Sequence, residues 1–282
     1  MTKLLVCIDG SIYADTVCTY AAAFSRSLAA EIDLLHVLRR QSSYQATADL
    51  SGSIGLGARS ALREKLLSVD EARGKLDQQK GKLILSHCQE ILSATGVSTT
   101  GVLHRRGPLV ETIQELETGY DMIFVGKRGE HAQTDSRYLG SNLEKVARGV
   151  HKPLFVAALE YRPIQRLLIA FDGKASTLKA VDFFVSHSNL SHLECHLLSI
   201  GKIDNGLFET AASRLRETGY SVTGRNEAAG SVEKQITDYV KKERIDWLAI
   251  GAYSHSPLRN LLLGSTSASL ILSSQIPMVL FR

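Results

Sequence analysis

Most of the features that narrow a protein's function quickly are scarce in this sequence. Its 282 residues include only four cysteines, Cys7, Cys18, Cys88 and Cys195, and none forms a C-x-x-C pair. That scarcity argues against a disulfide framework and paired-cysteine redox or zinc motifs, and it reads as reduced, buried thiols. No apolar run approaches the ~18 residues of a membrane span. The first apolar stretch stops at Asp9, too early for a secretory signal. The expectation is a cytoplasmic protein with no membrane partner. Thirty-three basic residues face 29 acidic ones, for a net charge of +4. So small an excess gives no basic stripe, and nucleic acid is not an expected partner. The nucleophile elbow G-x-S-x-G and the phosphate loops G-x-G-x-x-G and G-x-x-x-x-G-K-[ST] are all missing. What remains is an ordinary globular composition, 44% apolar and 22% charged, long enough for about two domains.

The chain repeats itself, and repeats are the first thing to seek. LLVCIDGS (Leu4 to Ser11) returns as LLIAFDGK (Leu167 to Lys174), and LLHV (34–37) as LLSI (197–200). Gly96 and Gly101 return as Gly219 and Gly224, and DMIFVGKRGEH (121–131) as DWLAIGAYSHS (246–256). A glycine lies 13 positions before a proline in each copy, Gly140 before Pro153 and Gly264 before Pro277. Asp9 to Gly126 spans 117 residues but Asp172 to Gly251 only 79, so the first copy carries an insertion. The reading is a first domain over 1–160 with an inserted loop-helix segment around 41–82, and a second domain over 161–282. Within the insertion, Leu50 to Gly57 reads as a loop able to fold over the first pocket as a lid. The helical pattern after it has two possible breaks, Gly74 and Gly81.

Each copy alternates short apolar runs with helical periodicity. LLVCI and LLIAF end in Asp-Gly turns; MIFVG and WLAIG are near-continuous apolar runs, as strands covered on both faces require. This alternation predicts an α/β fold with doubly wound parallel sheets. In such sheets ligands bind at the carboxyl ends of strands, where strand order reverses. Three features of each copy fall there: the Asp ending strand one, the glycine turn ending strand four, and a Gly-Ser opening a helix. A helix start presents free N–H groups and a positive dipole end to an anion. In the first copy Lys127 and Arg128 stand in that turn and are expected to add positive charge at the mouth.

These residues resemble the universal stress protein family in its tandem form. Its signature is G-x2-G-x9-G-[ST] after a strand-one Asp. The resemblance implies two Rossmann-like five-stranded parallel sheets, each of order 3-2-1-4-5, and ATP or a related adenine nucleotide as ligand. It implies nucleoside contacts from Ile8, Asp9, Val37, Val125 and Gly126, and a phosphate cradle from Gly129, Gly140, Ser141 and Asn142. In the second copy the matching positions are Asp172, Ile200, Gly251, Ser254, Gly264, Ser265 and Thr266. Both copies depart from the pattern: ten residues separate Gly129 from Gly140, Ser254 replaces a glycine, and Lys174 replaces the usual serine. Any Mg²⁺ would ride on the phosphates.

Histidines offer no competing site. His36 reads as a packed strand residue, and the spacing of His187, His192 and His196 matches no recognised zinc pattern. No base is evident to activate a water, so the expectation is a sensor or regulator and not an enzyme, with at most slow ATP hydrolysis. The apolar last strands, PLFVA and PMVLF, should pair to protect their edges, making the copies an internal pseudo-dimer; assembly into a homodimer stays open. A second reading keeps the fold but leaves the clefts degenerate, empty or holding another small molecule, in an interaction or scaffold protein.

Overall fold

A computed structural model describes residues 1–38, 56–130, 141–252 and 265–282, with backbone course alone for 56–63, 141 and 265. The first half runs β1 (Lys3–Ile8), α1 (Ala14–Leu28), β2 (Glu31–Leu38), α2 (Leu56–Ala94) and β3 (Thr99–Arg106). It continues with α3 (Leu109–Leu116), β4 (Met122–Gly126), α4 (Ser141–Gly149) and β5 (Leu154–Ala157). The second half repeats the order with β6 (Arg166–Ala170), α5 (Ala175–Ser186), β7 (Glu194–Ile200), α6 (Asn205–Glu217) and β8 (Ser221–Glu227). It closes with α7 (Val232–Lys242), β9 (Trp247–Gly251), α8 (Ser265–Ser273) and β10 (Met278–Phe281).

The strands form one sheet of ten, ordered β3-β2-β1-β4-β5-β10-β9-β6-β7-β8. Each half is parallel and has the expected order, but the two five-stranded sheets are fused. The join is an antiparallel pairing of β5 with β10, Leu154 opposite Leu280 and Val156 opposite Met278. Two apolar edges that would otherwise expose unpaired N–H and C=O groups satisfy each other. One face of the sheet is covered by α1, α2, α5 and α6, the other by α3, α4, α7 and α8. That double cover is why β4, β5, β9 and β10 are apolar almost throughout.

The seam concentrates the chain's few aromatic rings. Trp247, fully buried, meets Phe24 of the first half at 5.0 Å and Phe184 of the second at 5.2 Å. Tyr20 of α1 fixes the connecting segment: its hydroxyl donates to the Glu160 carbonyl and accepts from the Arg162 N–H. Polar ties cross the opposite face. Lys127 Nζ donates to the carbonyls of Leu272 and Ser274 at 2.8 and 2.7 Å, closing the C-terminal end of α8. Arg282 reaches the Arg148 carbonyl in the last turn of α4. Each half thus caps a helix of the other with a cation, where the helix end is negative.

Among the described residues the insertion is one continuous helix, which already includes Leu56 and Gly57, the last two residues of the stretch expected to be loop. Leu85, Cys88 and Leu92 of α2 are buried at the same places as Phe208, Ala211 and Leu215 of α6, a constant offset of 123. The halves therefore share this packed helical stretch, and the insertion extends its N-terminal end. Gly74 and Gly81 do not break it. Each glycine costs only ~1 kcal/mol in a helix, and Gly81 is needed: a Cβ there would lie 2.5 Å from His104 Nε2 and 2.8 Å from His36 Nδ1. The glycine-rich loop preceding the helix falls, up to residue 55, outside the described residues.

Candidate functional site

The strand order reverses between β1 and β4 in the first half and between β6 and β9 in the second. In the first half β1 delivers Ile8 and then Asp9 to the carboxyl edge. The Asp9 carboxylate accepts the N–H of Ser11 through one oxygen and that of Glu130 through the other, both at 3.1 Å. A Cβ on Gly129 would stand 3.0 Å from Asp9 Oδ2 and 3.9 Å from Asn142 Nδ2. Residues from the end of β1, the turn after β4 and the first turn of α4 thus converge. Ser141 opens α4; Gly140 lies outside the described residues. Val125 is buried and Gly126 beside it must lack a side chain, because a Cβ would stand 2.7 Å from Tyr13 Cβ. Val37 is half-buried at the end of β2. Arg128 is half-buried near Tyr13; burial pushes the tyrosine hydroxyl's pKa up and the Arg128 charge opposes it.

Lys127 is not at this mouth. Its ammonium lies between two carbonyls of the opposite half, and burial with the neighbouring Arg128 lowers its pKa to about 8. A cation from a distant element does reach the cleft: Lys80 of α2, which pairs with Glu130. The Glu130 carboxylate lies over the Asp-Gly turn, 3.0 Å from where a Gly10 Cβ would stand. Behind this pair His36 and His104 meet edge to face at 5.2 Å. His36 Nδ1 and His104 Nε2 are buried without hydrogen-bond partners. Burial lowers both imidazole pKa values, each ring being also disfavoured as a cation by a positive neighbour, His104 for His36 and Lys82 for His104.

Sequence reasoning missed Lys80, Glu130, His104 and Tyr13. Glu130 carried a signal, its place directly after Gly129. Lys80 carried none, because its position depends on how the insertion folds.

The second cleft is built from the same parts and differently filled. Asp172 accepts the N–H of Lys174 at 3.0 Å and the Thr177 hydroxyl at 2.9 Å, while Lys174 Nζ stands 3.0 Å from its other oxygen. Burial raises this carboxyl's pKa, but those bonds from Lys174 and Thr177 outweigh it and leave the pKa lowered. Gly173 has φ +74°, and a Cβ on it would lie 2.8 Å from Leu207 Cδ2 and 3.7 Å from Ile203 Cδ1. Side chains at the start of α6 thus cover this Asp-Gly turn. Gly251 meets Ser176 and Thr177 as Gly126 meets Tyr13, and Ser267 Oγ donates to its carbonyl. Ile200 is half-buried at the end of β7; Thr266 is exposed in the first turn of α8, which Ser265 opens. Ser254 and Gly264 lie outside the described residues, as do His131 and His255.

No group of three or more metal-ligating side chains occurs among the described residues. His187, His192 and His196 turn to separate partners: the Phe183 carbonyl, the Asn189 carbonyl and the Tyr239 hydroxyl. No helix among the described residues is long and apolar enough to cross a membrane.

Two tandem α/β units with a strand-end cleft in each define a class that comparison with known proteins makes specific. The sequence pattern of the universal stress protein family matches residues 1–158 and 204–282. The universal stress protein Slr1230 of Synechocystis is 33% identical over 289 residues, covering 100% of both chains. Among solved structures, a universal stress protein of Archaeoglobus fulgidus superposes with a TM-score of 0.69 at 16% identity, covering 99% of this chain and 96% of that one. A functionally unknown protein of Pseudomonas aeruginosa superposes at 0.62 and 16% identity, covering 100% and 92%. The chain belongs to the universal stress protein family.

Proposed function

We propose that the first cleft binds ATP or a related adenine nucleotide, and that the protein serves as a cytoplasmic stress sensor or regulator and not as an enzyme. The observation that carries this reading is the convergence of Asp9, Gly129 and Asn142 at the switch point, with the N-terminal end of α4 beside them. Gly129 lets backbone approach a phosphate, and the free N–H groups of α4 supply the anion site. In this reading Ile8, Asp9, Val37, Val125 and Gly126 hold the nucleoside, Gly129, Gly140, Ser141 and Asn142 hold the phosphates, and Arg128 adds charge. Lys127 is left out of the binding set because its ammonium joins the halves. Mg²⁺ would enter with the phosphates.

A second reading applies to the second half. Lys174 on Asp172, with Leu207 over Gly173, favours a degenerate cleft whose half acts through its surface. In that case the matching set of Asp172, Ile200, Gly251, Ser254, Gly264, Ser265 and Thr266 holds no nucleotide.

The test is direct. The purified protein is denatured and released nucleotide sought by chromatography, and ATP is then titrated while unfolding is followed. Saturation at 100 times Kd should add ~2.7 kcal/mol of stability, with a stoichiometry of one per chain. No released nucleotide and no added stability would sink the nucleotide reading; a stoichiometry of two would sink the assignment to one half.

A further inference from the structure

We infer that the N-terminal stretch of α2, as far as Gly81, is an autoinhibitory lid on the first cleft, held shut by the Lys80–Glu130 ion pair and by the seating of Gly81 on His36 and His104. The inference rests on the nucleotide reading of that cleft and adds its regulation.

Three contacts place the helix over the site. Lys80 binds Glu130, whose carboxylate covers Gly10 and whose N–H is bound by Asp9. Gly81 closes over the two imidazoles so tightly that no side chain fits. His36 is only 7% exposed beneath it, with a ring nitrogen left unpartnered. A nucleoside reaching Asp9 and Gly10 must displace the Glu130 carboxylate, and so must break its bond to Lys80.

The second half shows that this cover is not a requirement of the fold. By the offset that aligns the two helices, Lys80 corresponds to Ile203 and Ile84 to Leu207. Apolar atoms of Ile203 and Leu207 are the nearest to Gly173 in the second Asp-Gly turn. One position in the fold is closed by a solvent-accessible ion pair in the first half and by a hydrocarbon plug in the second. An exposed ion pair contributes little and is screened by salt, whereas lifting the plug exposes apolar surface to water. Only the first closure opens readily. The helix also has leverage beyond the contact: from Glu64 to Lys80 its residues are exposed apart from the half-buried Leu66 and Gly74.

A closed lid lowers apparent affinity by the fraction of molecules that are open. Two variants loosen it differently: Lys80→Gln removes the ion pair, and Gly81→Val forces the helix off the imidazoles. Access is read without nucleotide, as the rate at which diethyl pyrocarbonate modifies His36, resolved by mass spectrometry with the exposed His192 as internal standard. ATP affinity is measured on the same proteins. The expected result is His36 modification about fivefold faster or more, with Kd for ATP falling by a similar factor. An unchanged His36 rate in both variants overturns the lid. Faster modification with weaker ATP binding overturns the inhibition, making α2 part of the binding surface. Faster modification in proteins that bind no ATP, wild type included, leaves the lid standing and overturns the nucleotide reading instead.

Discussion

The two halves share strand order, helix order and an Asp-Gly turn, yet their clefts are closed by opposite means. Asp9 holds two backbone N–H groups and has no cation on its own turn, whereas Asp172 is bound by Lys174. The first turn lies under charged groups, the second under Leu207 and Ile203. The scaffold tolerates this divergence because the difference sits at strand ends and helix starts. Beneath them Leu4, Val6, Leu167 and Ile169 are all fully buried in equivalent places. The pairing of the halves rests on the β5–β10 join and the rings around Trp247.

The largest expected effect tests whether unlike clefts still rest on a common core. Trp247→Ala should cost about 3–5 kcal/mol, as large core truncations do. Because Trp247 packs on rings from both halves, both should unfold in one transition, checked by denaturation followed with tyrosine fluorescence and circular dichroism. Two separate transitions would show halves more independent than the seam implies. Next, Gly129→Leu should abolish the ~2.7 kcal/mol expected from the proposed ATP binding at saturation, because its side chain would enter the space between Asp9 and Asn142. A calorimetric titration checks it; undiminished binding would move the nucleotide to the second half.

A smaller effect should make the second cleft resemble the first. Lys174→Ser with Leu207→Ala removes cation and plug together, and should raise ATP stoichiometry above that of the wild type. The ion pair is half exposed, so Lys174→Ser alone should change stability by less than ~1 kcal/mol.

The smallest effect is one of pH. His36 and His104 have pKa values lowered from 6.5. The unfolded chain therefore takes up protons before the folded one does. Their contribution to stability is complete above 6.5 and is lost as pH falls through the lowered values. Replacing both with glutamine should flatten stability between pH 7.5 and 5, measured by urea unfolding.

Much of this was legible in the sequence. The repeat, the strand order implied by the family resemblance, and the pairing of PLFVA with PMVLF all rest on apolar runs and fixed glycine–proline offsets, which are local signals. The convergence of Asp9 with Gly129 and Asn142 followed from the motif. What was not legible depends on distant partners. Lys127 looked like a phosphate cation because its neighbours in sequence are glycines, but it is 145 residues from the carbonyl of Leu272 that it binds. Gly81 looked like a helix break because propensity sees only the helix. The imidazoles that require it stand on β2 and β3. Lys80 and Ile203 occupy matching places in halves of different length; the glycine offset of 123 relates them only because the helix runs unbroken from Lys80 to Ala94.

The antiparallel join of β5 and β10 also has a genetic consequence. In a dimer of two identical chains, any substitution at a cleft appears at both clefts, so one cannot be lost or restyled while the other is kept. Here the same edge-to-edge partnership is encoded twice in a single reading frame. A change at codon 174 or codon 80 alters one cleft alone. The seam between the halves is thus what allows a symmetric assembly to divide its labour.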